Sequence, residues 1–297
     1  MDSKVYKRAG IVYFSGTGGT ARVANLICKF LVEYGVSVTK APLEHNNYSK
    51  TNMTPIKHID LIIVLFPVYA FDAPEPIYRW INGLPKGEGT PVVIISVSGA
   101  GNCGPNTACR VGIIKRLQKK CFKIVYEKMM IMPSNFVIPI NKQLAIRLLN
   151  VLPSKTEQIV KEVMEGKKRR IKPKLSGRIL RTLFKIEKPC AKLFAKGFKV
   201  KESCNVCGWC AENCPMDNIE LQGNRPIFSS NCLACLRCIY GCPQNAIYTS
   251  IYSFVPLKEG YDLNELEKLA DDFELKPLDN IKVSYLFKAV KDYLMEK

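Results

Sequence analysis

Eight cysteines between Cys204 and Pro243 constrain this chain more than any other feature. They form two copies of one pattern, Cys204-x2-Cys207-x2-Cys210-x3-Cys214-Pro215 and Cys232-x2-Cys235-x2-Cys238-x3-Cys242-Pro243, offset by 28 residues. Ile219 and Ile247 keep that register beyond the cysteines. The x2 gaps let three successive thiolates wrap one metal cube, and the x3 gap followed by proline turns the chain away. The spacing predicts two cubane 4Fe–4S clusters, and with them a role in moving electrons. Zinc is the ordinary alternative for a CxxC pair, but eight ligands and two Cys-Pro ends weigh against it.

The remaining composition fits a cytoplasmic protein. A length of 297 residues with 47% hydrophobic content suggests two globular domains. The longest apolar run, residues 61–71, is too short for a bilayer and is broken by Pro67. No basic stretch followed by an apolar one opens the chain, so no secretion signal is expected. Thirteen cysteines in a chain this long, with CxxC spacing, point to metal in a reducing compartment rather than to disulfides.

The net charge of +18 is unevenly spread. Residues 1–166 carry 21 Lys/Arg against 11 Asp/Glu, or +10; residues 167–201 carry 14 against Glu187 alone, or +13. Residues 202–250 come to −2 and residues 251–297 to −3. These shifts divide the chain into 1–166, a basic linker 167–201, a cysteine-rich unit 202–250 and a C-terminal extension 251–297.

In the first unit, hydrophobic periodicity predicts strands over 9–15, 36–43, 61–66, 92–97 and 122–126. Between them it predicts helices over 20–34, 74–81 and 107–120, then a longer helix over 143–165 interrupted at Pro153. Alternating strands and helices imply an α/β fold, a doubly wound five-stranded parallel sheet covered on both faces. Ligands of such sheets bind beyond the strand C-termini, at the switch point of strand order. Three specialised loops leave those ends. They are Ser15-Gly16-Thr17-Gly18-Gly19-Thr20, Pro67-Val68-Tyr69-Ala70-Phe71 and Ser98-Gly99-Ala100-Gly101-Asn102.

The first loop suits a phosphate, because its glycines fold tightly and the next helix aims unpaired N–H groups at an anion. It lacks the Gly-Lys-Ser/Thr ending of a triphosphate loop. Gly16-x-Gly18-x-x-Ala21, with Glu44 downstream, also satisfies a dinucleotide fingerprint. The hydroxyls of Ser15, Thr17 and Thr20 suit a terminal monophosphate better, and Tyr69 and Phe71 stand where an aromatic could cover a planar ring.

The string Phe14-Ser15-Gly16-Thr17-Gly18-Gly19-Thr20 closely resembles the FMN phosphate loop of flavodoxins, and the resemblance extends over residues 5–165. It implies that Ser15, Thr17, Gly18 and Thr20 hold the ribityl phosphate, that Tyr69 contacts the isoalloxazine ring, and that Gly99 to Asn102 line the ring's polar edge. One departure is clear: the third loop has no aromatic for the second face of the ring.

Residues 202–250 resemble bacterial two-cluster ferredoxins, a small α+β unit. In that family the fourth cysteine of each run serves the other cluster. The resemblance therefore implies Cys204, Cys207, Cys210 and Cys242 on one cluster, and Cys232, Cys235, Cys238 and Cys214 on the second, around a pseudo-twofold axis. Together the two halves resemble the flavodoxin–ferredoxin fusion proteins of anaerobic bacteria and archaea. That resemblance implies an electron-transfer protein joining one-electron carriers to two-electron partners through FMN and two 4Fe–4S clusters. Two other readings stay open. One is a flavin-dependent reductase of a small acceptor such as a quinone or nitro compound; the other is an iron–sulfur redox sensor acting through the basic segment.

That segment begins Lys167-Lys168-Arg169-Arg170 and shows apolar Ile179, Leu180, Leu183, Phe184 and Ile186 before Pro189, then Cys190, Leu193, Phe194 and Phe198. The spacing predicts two short amphipathic helices split by Pro189. Their apolar faces are expected to dock on the sheet domain; a membrane-surface role is a second reading and nucleic-acid binding a third. Cys28, Cys103, Cys109, Cys121 and Cys190 are expected as buried small hydrophobes, and His45 and His58 as surface residues. Leu263, Leu266 and Leu269, then Tyr285 through Leu294, predict two amphipathic helices at the domain junction.

Overall fold

Residues 61–66 are apolar without alternation because β3 (Leu61–Pro67) is the central strand of a sheet covered on both faces. The computed structural model describes residues 6–44, 58–102, 104–173, 175–183, 187–270 and 272–296. His45, Cys103, Phe184 and Ile186 lie outside them. β1 (Arg8–Tyr13), β2 (Ser37–Pro42), β4 (Pro91–Ser98) and β5 (Lys123–Ile131) complete the sheet, all parallel, in the order β2-β1-β3-β4-β5. This is the flavodoxin-like doubly wound order, with its switch point between β1 and β3.

Five helices flank the sheet: α1 (Gly19–Glu33), α2 (Glu75–Gly83), α3 (Val111–Lys119), α4 (Lys142–Asn150) and α5 (Leu152–Met164). Val23, Ile27 and Leu31 of α1 pack with Ile159 and Val163 of α5 on one face. Ile77 and Ile81 of α2 pack with Ile113 and Leu117 of α3 on the other. The helix expected over 143–165 with an interruption at Pro153 is indeed broken there, into two helices that part at Val151, with Pro153 in the first turn of α5 where its missing N–H costs nothing. Residues 107–120 begin with a 3-10 turn, Gly104–Ala108, before α3. β5 runs five residues past its expected end at Tyr126, to Ile131.

The basic segment forms α6 (Leu175–Leu183) and α7 (Glu187–Lys196). Pro189 lies inside the first turn of α7 instead of dividing the pair, again a position that tolerates proline. α7 buries Phe194, but against Phe198, Leu236 and Val255 of the cysteine-rich side and not on the sheet domain as expected. α6 buries Gly177 and Arg181 and turns Leu175, Ile179, Leu180 and Leu183 outward.

The cysteine-rich unit is built of two interleaved repeats. The first contains β6 (Phe198–Val200), a one-turn helix α8 (Trp209–Glu212) and β7 (Ile219–Gln222); the second contains β8 (Arg225–Phe228), a one-turn helix α9 (Arg237–Tyr240) and β9 (Ile247–Thr249). β6 pairs with β9 and β7 with β8, both antiparallel, so each repeat lends its first strand to the last strand of the other. The backbone repeats as well: the left-handed residues Val206, Gly208 and Asp217 recur 28 positions later as Ala234, Leu236 and Asn245. The backbone thus repeats at the same 28-residue offset as the cysteines.

The C-terminal helices, α10 (Leu263–Ala270) and α11 (Lys288–Met295), pack on the sheet domain and not at the junction. Leu263 joins the core under α1, and Val290 and Tyr293 join Leu144 and Leu148 of α4. Among the described residues no helix is long and apolar enough to cross a membrane.

Candidate functional site

The first loop leaves β1 and reaches α1 through Gly18, whose φ of 92° is a left-handed conformation suited to glycine. Ser15 Oγ accepts the Ala21 amide at 3.2 Å, and Thr17 Oγ1 accepts from Asn135 Nδ2 at 2.8 Å. Hydroxyls thus gather around the start of a 15-residue helix with no acidic side chain in its first turn. The positive end of α1 meets no competing carboxylate from its own turn.

The second loop is a strained turn. Ala70 and Phe71 both have left-handed φ values, 51° and 54°, between Tyr69 and Asp72, which exchange two backbone hydrogen bonds of 3.0 and 2.9 Å. Non-glycine residues in such a turn cost roughly 1–3 kcal/mol each and persist where the surroundings impose them. Here buried Asp72 accepts from Tyr78 Oη at 2.6 Å, from the Ala73 amide at 2.8 Å and from Arg181 of α6 at 2.7 Å. The outcome is a fixed Tyr69, its ring edge-on to Phe14 with centroids 6.2 Å apart. Burial, then the nearby Cys235, pushes the Tyr69 phenol well above its ordinary pKa, so it stays neutral. In the third loop, Asn106 Nδ2 ties Ser98 Oγ to the Gly101 carbonyl, each at 3.0 Å.

All three loops face one cavity of about 520 Å³. Ser15, Gly16, Thr17, Gly19 and Thr20 line it from the first loop, Pro67, Val68, Tyr69 and Ala70 from the second, and Ser98 and Gly99 from the third. Gly18, Phe71, Ala100, Gly101 and Asn102 lie outside that lining. Sequence reasoning missed the rest of the wall. Met132 to Val137 extend from β5 and form a fourth strand-end loop, overlooked because that strand was expected to stop at Tyr126. The remaining wall comes from Cys190 and Phe194 of α7, from Cys232 and Cys235, and from Tyr252, Phe254 and Tyr261. Aromatics thus reach the cavity from outside the sheet domain. Only tertiary contact brings them there.

Arg237, between Cys235 and Cys238, fastens the two halves together. Its Nε donates to the Gly16 carbonyl at 2.9 Å, one terminal nitrogen donates to the Ser15 carbonyl, and the other donates to the Asn213 carbonyl at 3.1 Å. Tyr240 Oη adds a bond to the Asn135 carbonyl at 2.8 Å. Gly16 is needed for this approach: a Cβ there would fall 2.2 Å from Tyr69 Oη and 3.2 Å from Cys235 Cβ. A Gly16→Ala chain should therefore open the Tyr69–Cys235 contact and destabilise the protein by about 1–3 kcal/mol, measured by its melting temperature.

The cysteines separate into two groups. Cys204, Cys207, Cys210 and Cys242 surround a void of about 20 Å³, closed by Trp209, Leu221 and Pro226. Burial raises the Cys210 thiol, and Cys242 and Cys204 add to the rise. Burial likewise pushes Cys232 up to about 12, with Cys235 and Cys214 adding to the rise. Cys238 is driven well above the ordinary range by burial, then by Cys235, Cys232 and Cys214. Bare thiols so placed stay protonated, and a cationic metal centre is what would hold them as thiolates. Amides of Asn218, Ala246 and Ala234 donate to the sulfurs of Cys214, Cys242 and Cys232 at 3.3, 3.3 and 3.2 Å. Among the described residues no three His, Cys, Asp or Glu side chains converge as the ligands of a single ion would.

The other cysteines vary. Cys109 is buried, Cys28 is partly buried, Cys190 is partly buried in the cavity wall, and Cys121, expected inside, is exposed in a left-handed turn. His58 is exposed.

No family model matches the sequence, and no curated protein does. Among solved structures, an archaeal flavodoxin is similar at 14% identity over 52% of this chain and 98% of its own, with a TM-score of 0.36. An NAD(P)H:quinone oxidoreductase from Methanothermobacter marburgensis is similar at 12% identity over 53% of this chain and 96% of its own, with a TM-score of 0.42. General stress protein 14 from Treponema denticola, solved in complex with FMN, shows 10% identity over 53% of this chain and 98% of its own, with a TM-score of 0.39. These neighbours cover about half the chain. The flavodoxin-like fold of that half rests on the strand order and register.

Proposed function

We propose that this chain is an electron-transfer protein that binds FMN in the large cavity and two 4Fe–4S clusters on its eight cysteines. One observation carries the reading: Cys232 and Cys235 line the same cavity as the phosphate-type loop, so the two cofactor sites share a wall. The crossed ligand sets are Cys204, Cys207, Cys210 and Cys242 against Cys232, Cys235, Cys238 and Cys214; the void that Cys242 shares with the first three supports the first set, and the closeness of Cys214 to Cys232, Cys235 and Cys238 supports the second. When bound, a flavin exchanges one or two electrons whereas a cluster passes one at a time, so the pair connects the two kinds of redox partner.

The chain's own residues prepare this. Ser15, Thr17 and Thr20 and the start of α1 suit a phosphate, while Pro67, Val68 and Tyr69 offer a flat apolar face. Arg237 places a positive charge behind the loop that would hold the phosphate, and its three carbonyl bonds fix that loop against the cysteine unit. Arg237→Gln should raise the FMN dissociation constant by about tenfold to hundredfold, because hydrogen bonds to a charged group contribute about 1.5–3 kcal/mol. Titration of flavin fluorescence would show it; an unchanged constant would separate Arg237 from the flavin site.

The whole reading is tested on anaerobically purified protein, which should hold about one FMN and about eight irons per chain. An acid extract without flavin would remove the first half of the account, and a chain without iron the second. A reductase of a small planar acceptor is a second reading, favoured by exposed Phe136 and Phe254 at the cavity's edge. Saturable reduction of a quinone by the purified protein would favour it over a pure carrier serving redox partner proteins.

A further inference from the structure

We propose that α6 seats the protein on the surface of an anionic lipid bilayer. The case starts from the way this helix is turned. Its two buried residues, Gly177 and Arg181, are four apart and share one face. Gly177 packs on Thr107 and the Gly104 carbonyl, and Arg181 donates to Asp72 at 2.7 Å and to Tyr78 Oη at 3.1 Å. At about 100° per residue, Leu175, Ile179 and Leu183 fall on the opposite side. With Leu180 they are between 39% and 72% exposed. A helix anchored by a buried ion pair cannot roll its aliphatic side inward without stranding Arg181 and Asp72. The outward stripe is therefore held in place by the fold.

Charge decides what covers the stripe. Residues 167–201 carry 14 Lys/Arg against Glu187 alone. Lys168, Lys172, Arg178, Lys192 and Lys196 are exposed. A second copy of the chain would bring this charge against itself. Nucleic acid would engage the charge and leave the aliphatic side chains in water. Protein partners are met by surfaces rich in aromatics and Arg, with Leu under-represented among the residues that dominate binding. An exposed aliphatic stripe on a helix that also exposes Arg178, within a strongly basic segment, suits a helix lying in a lipid headgroup layer, its side chains in the acyl boundary and its charge among anionic headgroups. As no described helix can span a bilayer, the contact is one of lying on the surface.

The test is sedimentation of the full-length, cofactor-loaded protein with vesicles of phosphatidylcholine alone and with about 30% phosphatidylglycerol, where surface charge attracts basic residues. Expected are binding to the anionic vesicles at low salt, little to the neutral ones, and release as salt rises. Ile179→Glu should lower the partition coefficient by about tenfold or more, and Arg178→Gln by about fivefold. Both side chains are exposed, so melting curves should not move. Equal sedimentation of Ile179→Glu with wild type would overturn the proposal, as would failure of wild type to bind either vesicle. A wild-type dimer that Ile179→Glu dissociates would assign the stripe to a second copy and overturn it too.

Discussion

A Cys214→Ser chain is expected to lose about four of the eight irons proposed for the two clusters, and the four lost should belong to the site of Cys232, Cys235 and Cys238. Cys214 is buried, and its sulfur already accepts the Asn218 amide, so serine would leave a weaker ligand in the same place. Cys214 lies close enough to Cys232, Cys235 and Cys238 of the opposite repeat to raise all three thiols. The mirror variant, Cys242→Ser, should empty the site of Cys204, Cys207 and Cys210 instead. The two should also differ in their flavin content. Cys232 and Cys235 line the large cavity and the Cys204 group does not, so Cys214→Ser should lose FMN as well, and Cys242→Ser should keep it. Iron and flavin analysis with low-temperature magnetic resonance would separate the cases. Loss of the Cys204 cluster from Cys214→Ser would refute the crossed assignment.

Arg181→Leu should destabilise the protein by about 3–5 kcal/mol, the usual cost of removing one partner of a buried ion pair. Asp72 would remain buried, with Tyr78 and the Ala73 amide still donating to it but no cation paired with it among the described residues. For a domain of this size the melting temperature should fall by roughly 10 °C. The pairing also holds the turn that presents Tyr69, so flavin should be released early in the melt. The double variant Asp72→Asn with Arg181→Leu should recover much of the loss, because no charge is then left alone in the interior. A single variant that melts within about 2 °C of wild type, or roughly a 1 kcal/mol change in a domain of this size, would show that the pair is not a structural support.

The sheet was legible because its strands are buried on both faces, which leaves uninterrupted apolar runs such as 61–66. The three loops were legible because glycine, proline and hydroxyl residues gather at strand ends. β5 was cut short because Glu127 and Lys128 interrupt its apolar run. Both are buried, with Glu127 paired to Arg110 and Arg170 and Lys128 to Glu296. Only the folded chain supplies those partners, and the Met132–Val137 wall was lost with them. α6 was misread for a related reason. Periodicity locates an apolar stripe on a helix, but which side faces inward depends on what the other side meets, here Asp72 across 109 residues of sequence. The pairing of cysteines into crossed sets came from resemblance and not from spacing, since either connectivity satisfies the same gaps.

The shared wall implies a timetable for making the protein. The sheet half is synthesised first, yet its cavity lacks one side until the cysteine unit docks through Arg237 and Tyr240. A flavin arriving on the nascent chain would meet an open shelf and leave again. On the electron-transfer reading proposed above, the flavin site would therefore close only after the cysteine unit has been made and has docked.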